Sequence, residues 1–146
     1  RIYGIIFFND KNKFLNEKKK TFHKDEIIKL LNEKGIGIFD TAIEIRRLQD
    51  NASDKFLEVV KPTDIKKLLL QIPACEAIVT TGQKATDTLV DHFKITEPKV
   101  GGYISFDFEG KSMKLFRMPS SSRAYPLALD KKAAAYYSMF HELNMI

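Results

Sequence analysis

What constrains this chain most is an alternation between two hydrophobic periods. Short apolar runs that read as strands are followed by runs with an apolar residue every third or fourth position, which read as helices. "KDEIIKLLNEKG" is a helix: Ile27, Ile28, Leu30 and Leu31 make one apolar face, acids fill its first turn, and Gly35 stands where a C-cap belongs. "IGIFDTAIEI" reads as a buried strand with a polar end at Asp40, and "DNASDKFLEVVKP" as a loop holding at most a short helix. "PTDIKKLLLQI" is helical behind Pro62, with Thr63 or Asp64 as its N-cap. "EAIVTTGQKATDTLVDHF" is a short strand feeding a helix, in which Ala85, Leu89 and Phe93 recur every fourth residue. "GGYISFDFEGKSMKLFRMP" gives two strands around a short turn at Glu109–Gly110. "LDKKAAAYYSMFHEL" closes the chain as a helix packing through Ala133, Tyr136, Tyr137 and Phe140.

Such alternation is the signature of an α/β sandwich with a largely parallel sheet. The 146 residues suit a single domain with a real core, and no repeat or low-complexity linker divides them. A hydrophobic fraction of 44% and a charged fraction of 29% are those of a globular protein. No apolar run approaches the roughly 20 residues that span a bilayer, and no signal peptide is visible, so no membrane partner is expected. Cys75 has no second cysteine to pair with, which points to a cytoplasmic setting. The histidines His23, His92 and His141 are scattered, and "FHEL" lacks the second histidine of a zinc-binding helix. Neither a metal nor another cofactor is expected.

A net charge of +5 permits polyanion binding without requiring it. The densest basic segment, "KNKFLNEKKKTFHK", reads either as a solvated loop or as a phosphate- or partner-contacting one. In α/β folds ligands bind beyond the carboxyl ends of the strands, in the loops that feed helices. "FDTAIEIRR", "TTGQKA" and "MPSSSRAYP" occupy that edge. Each also has a plain structural reading: Asp40 capping a turn, Thr81 and Gly82 starting a helix, "PSSSR" as a solvated turn. "TTGQKA" is not a phosphate loop, because the glycine spacing and the Lys-Ser/Thr pair are missing.

Taken together, these stretches resemble the uracil-DNA glycosylase superfamily, in its mismatch-specific and hypoxanthine-DNA glycosylase-like branch. Ile38, Phe39 and Asp40 match that branch's Leu-Trp-Asp-like strand end, and "RRLQDNASD" echoes its Arg-rich stretch and Ser-Leu-Asp-Ser-like loop. "TTGQKA" matches Phe-Asn-Gly-x-Lys-Ala, with Thr81 where the family often has asparagine. Pro119, Ser120, Ser121 and Ser122 match a Pro-Ser-(Ser/Thr)-Ser loop, preceded here by Met118 where several branches carry asparagine or histidine. The set covers nearly the whole chain in the family's order.

The resemblance implies a three-layer α/β/α sandwich with a central, mainly parallel sheet. It also implies that "RIYGIIFF" is a helix, although its composition alone fits a buried strand equally well. Phe39, Asp40 and Thr81 become base-pocket residues, and Met118, Pro119, Ser120, Ser121, Ser122 and Arg123 a DNA-binding loop. The implied activity is hydrolysis of the N-glycosidic bond of a deaminated base, uracil or hypoxanthine, flipped out of DNA. The partner would be DNA carrying a damaged or mismatched base, met by a monomer. The family's water-positioning residue and stacking aromatic belong to a stretch before residue 1, so no residue here inherits the catalytic role. The family's first strand lies beside the strand of Phe39. A chain beginning at Arg1 is therefore expected to be poorly soluble alone, and an extended one to fold. Thr81 and Met118 leave open a binding relative without chemistry, and the fold class alone also admits a small-nucleotide binder.

Overall fold

The computed structural model describes residues 1–48 and 57–146. They form a mixed α/β protein that divides into two compact units, Arg1–Ile38 with Met118–Ile146, and Phe39–Arg117.

The first unit opens with helix α1, Ile2–Phe8, as the resemblance implies and against the β-rich look of its composition. Asn9 ends it in the left-handed region (φ 53°), its N–H reaching back to the last carbonyls. A minimal antiparallel pair follows, β1 at Leu15–Asn16 and β2 at Thr21–Phe22, inside the lysine-rich segment. Phe14 buries itself at its base, and Lys13 holds its ammonium 5.1 Å from the Phe8 ring centroid. Helix α2, Lys24–Lys34, carries Asp25 and Glu26 in its first turn and ends at Gly35 in the left-handed region, as its sequence predicts.

The second unit begins with a correction. The strand expected across "IGIFD" is absent: residues 36–40 have no ladder, and Ile38 and Phe39 are 70% and 64% exposed. The strand β3 starts later, at Ala42–Arg47, and pairs antiparallel with β4, Leu57–Pro62. The segment containing β4 reads from sequence as a loop with at most a short helix, yet it forms a strand. Its residues supply the ladder partner, so the register starts from Ala42 opposite Pro62 and leaves Phe39 outside it. The Ser-Leu-Asp-Ser-like echo beyond Leu48 lies outside the described residues.

Helix α3, Ile65–Leu70, is capped by Asp64, the second of the two candidates Thr63 and Asp64; its carboxylate accepts from the Lys67 N–H at 3.0 Å. Strand β5, Ala77–Thr81, feeds helix α4, Gln83–Phe93. Strands β6, Tyr103–Phe108, and β7, Lys111–Met118, form an antiparallel hairpin in unbroken register from Tyr103 opposite Phe116 to Phe108 opposite Lys111. Glu109 (φ 50°) and Gly110 (φ 76°) both turn left-handed, the geometry that matches the strands' right-handed twist. The order β5-β7-β6 makes a mixed parallel and antiparallel sheet with β7 in the middle. Met113 and Leu115 of β7 pack with Ile65, Leu69 and Leu89 into one buried cluster.

Beyond β7 the chain returns to the first unit and ends in helix α5, Leu129–Glu142. Ala133, Tyr136 and Phe140 are buried as anticipated, joined by Lys132 and Met139, whereas Tyr137 is exposed. Helix α1 packs on α5 through rings: Tyr3 and Phe7 lie 5.7 and 5.1 Å from Phe140, centroid to centroid. Edge-on and tilted pairs of this kind add to what burial alone contributes. Among the described residues no helix is long and apolar enough to cross a membrane.

Candidate functional site

The connection from β7 to α5 is a folded object rather than filler. Met118 is almost fully buried and Pro119 ends the strand, since proline has no N–H for a ladder. Ser120 Oγ then accepts from the Ser122 N–H at 3.3 Å, and Ser122 Oγ accepts from the Ala124 N–H at 3.2 Å. These are two successive hydroxyl turns, the local bonds by which serine competes with regular structure. The Ser122 carbonyl takes the Tyr125 N–H at 3.2 Å and the Lys132 ammonium at 2.6 Å. Lys132 is only 4% exposed, and its Nζ also stands 5.4 Å from the Tyr125 ring centroid. The Tyr136 hydroxyl points at the Pro119 carbonyl, 3.5 Å away. Burial, reinforced by the phenol of Tyr3, pushes the Tyr136 pKa far above its ordinary value.

So Ser120 and Ser122 spend their hydroxyls on the turn, and Lys132 clamps it from beneath. Ser121 and Arg123 are left exposed, without a hydrogen-bond or ion-pair partner among the described residues. Arg123 does not pair with Asp130. The loop thus offers one guanidinium and one hydroxyl to solvent on a braced backbone.

The other sequence-predicted residues lie in the unit Phe39–Arg117. Thr81 is the last residue of β5 and is exposed. Gly82, the N-cap of α4, has φ 89°, a backbone that favours glycine. Its carbonyl accepts the Thr86 hydroxyl at 2.8 Å, and that hydroxyl meets buried Thr80 at 2.9 Å. Gln83 donates to Asp87 at 2.7 Å and to Glu97 at 2.6 Å, and accepts from Arg117. Arg117 is completed by Glu97 at 2.9 Å and the Pro98 carbonyl at 3.1 Å. Lys84 reaches the Leu57 carbonyl at 2.7 Å. Most of the polar groups of "TTGQKA" are therefore tied into the corner between strand and helix. Phe39 and Asp40 sit on the exposed stretch before β3 rather than at a strand end, and the Asp40 carbonyl accepts the Thr63 hydroxyl at 2.6 Å.

No family model, curated protein or solved structure matches the chain.

Two residues escaped the sequence reading. Lys132 carried a signal, because it shares a helical face with Ala133, Tyr136 and Met139, and a lysine on an apolar face needs a partner. Arg117 lies in an alternating strand where its inward neighbours Phe116 and Met118 conceal it, and no spacing links it to Gln83 or Glu97. Among the described residues no group of histidine, cysteine and acidic side chains could hold a metal ion.

Proposed function

We propose that this chain is a DNA-binding module of a glycosylase related to the uracil-DNA glycosylase superfamily. It engages DNA around a flipped deaminated base through the loop Pro119–Arg123. The finer fold that goes with this reading is the three-layer α/β/α sandwich, of which the mixed sheet and its helices would be a part. The observation that carries the reading is the braced loop presenting Ser121 and Arg123 on a net basic chain. A flipped base leaves strained phosphates beside a gap. A guanidinium meets that need in two ways, by forked hydrogen bonds to phosphate or by stacking its plane on a base. The reaction is attack of water on the sugar's anomeric carbon as the base departs with the bonding pair and is protonated. Stabilisation of the oxocarbenium-like sugar and the leaving base supplies the rate. None of the residues quoted takes the water-activating role.

Duplexes with U·G, hypoxanthine·T and xanthine·C pairs test it. With the full-length protein an abasic product from at least one is expected, and none from any would refute the enzyme.

A second reading, binding without chemistry, is favoured by a specific observation: Phe39 and Asp40 are exposed, and Gln83 and Lys84 are committed to bonds within the chain. Tight binding to an abasic duplex with no turnover on any substrate would select it.

A further inference from the structure

The ribbon β3–β4 is exposed along nearly all of its length. It is a two-stranded sheet, so among the described residues each strand has a free edge. Every residue from Ile43 to Arg47 is exposed, including Ile43 at 61% and Ile45 at 44%, and Val59 and Val60 of β4 are exposed as well. An isolated two-stranded ribbon is marginal in water, and a free apolar edge is a template for another strand.

We propose that this edge pairs with the same edge of a second copy of the chain. The sequence of β3 is complementary to itself when reversed. From Glu44 onward alternation puts Glu44 and Arg46 on one face and Ile45 on the other, Ile43 being skipped by the register. An antiparallel pairing centred on Ile45 opposite the second copy's Ile45 sets Glu44 of each chain across from Arg46 of the other. Within one chain Glu44 already lies opposite Lys61, and Arg46 lies opposite Glu58, at 3.5 Å. The register shifts beside Glu44 bring Lys61, rather than Val60, across from it. The four-stranded sheet would therefore carry rows of alternating charge on one face: Lys61, Glu44, then the second copy's Arg46 and Glu58. The other face would carry Val59, Ile45 and their two counterparts. No other centring places both unlike charges opposite each other while also matching the isoleucines. The contact is independent of the DNA reading, because it uses no residue of the loop Pro119–Arg123.

Sedimentation of the full chain across a concentration series tests the proposal. The unmodified chain should dimerise. Glu44→Arg alone and Arg46→Glu alone should each set like charges opposite one another twice, raising the dimer dissociation constant by about tenfold or more. An equimolar mixture of the two variants should recover the dimer, because each then meets its complement. That recovery separates lost pairing from lost folding, since misfolded chains would not regain a dimer on mixing. A chain that stays monomeric at every concentration would overturn the proposal. So would dimerisation indifferent to both reversals, or a mixture no better than its components.

Discussion

Arg123 on the β7–α5 loop and Lys132 on helix α5 beneath it have opposite duties, and their substitutions should separate. Arg123 is exposed and has no partner among the described residues, so Arg123→Ala should leave the thermal midpoint unchanged. It should weaken binding to damaged DNA by about 1–3 kcal/mol, the scale of a charge-assisted contact. If the contact is to phosphate, the salt slope falls by about one counterion. Affinity measured against salt reads both, and unaltered affinity would return Arg123 to solvent. Lys132 is buried against Ser122 and Tyr125. Lys132→Met keeps the apolar stem and removes the ammonium together with its desolvation cost, so net stability should change by less than about 1 kcal/mol. The loop should nevertheless loosen, and amide exchange at Ala124 and Tyr125 should speed up. Unchanged exchange would mean that the serine turns hold the loop unaided.

At the level of elements, local signals were sufficient wherever an element carries its own ends. The N-cap Asp64, the stop at Gly35 and the turn at Glu109–Gly110 each stand where short-range chemistry puts them. Asp64→Ala should cost about 0.5–2 kcal/mol, as N-cap losses do, visible as a lower thermal midpoint. Gly110→Ala meets no steric neighbour among the described residues, yet its φ of 76° strains any side chain, so a loss of about 1 kcal/mol is expected. Legibility failed where an element depends on a distant partner. The apolar run at Ile36–Phe39 looks like a strand, but β3 is placed by its pairing with β4, more than ten residues away. Hydrophobicity gave the tendency to pair and said nothing of the register. The candidate site divides in the same manner. The loop Pro119–Arg123 could be read from proline, serine and arginine, whereas Lys132 and Arg117 acquire their roles only through tertiary contacts.

For the molecule as a whole, pH is the probe that reaches the buried helices. The Tyr136 phenol is held well above its ordinary 10.0, first by burial and then by Tyr3. Tyr3 is raised as well, again by burial. Below pH 10.0 the phenol is protonated in folded and unfolded chains alike, and its contribution is fully present. Above it the unfolded chain releases the proton while the folded one retains it, so stability falls as pH rises. Tyr136→Phe should flatten that alkaline decline without abolishing it, since Tyr3 remains. Denaturant midpoints on either side of pH 10.0 measure it, and an identical slope in the variant would contradict the assignment.

The first unit is drawn from both ends of the chain, with Phe39–Arg117 lying between them in sequence. During synthesis, α1 leaves the ribosome with Tyr3 and Phe7 uncovered, and their partner Phe140 is made only after that whole intervening unit. At about 5–20 residues per second the wait lasts several seconds, long compared with the folding time of a small continuous unit. Phe39–Arg117 therefore has time to close first. Through that interval the aromatic face of α1 is apolar surface still waiting for its cover.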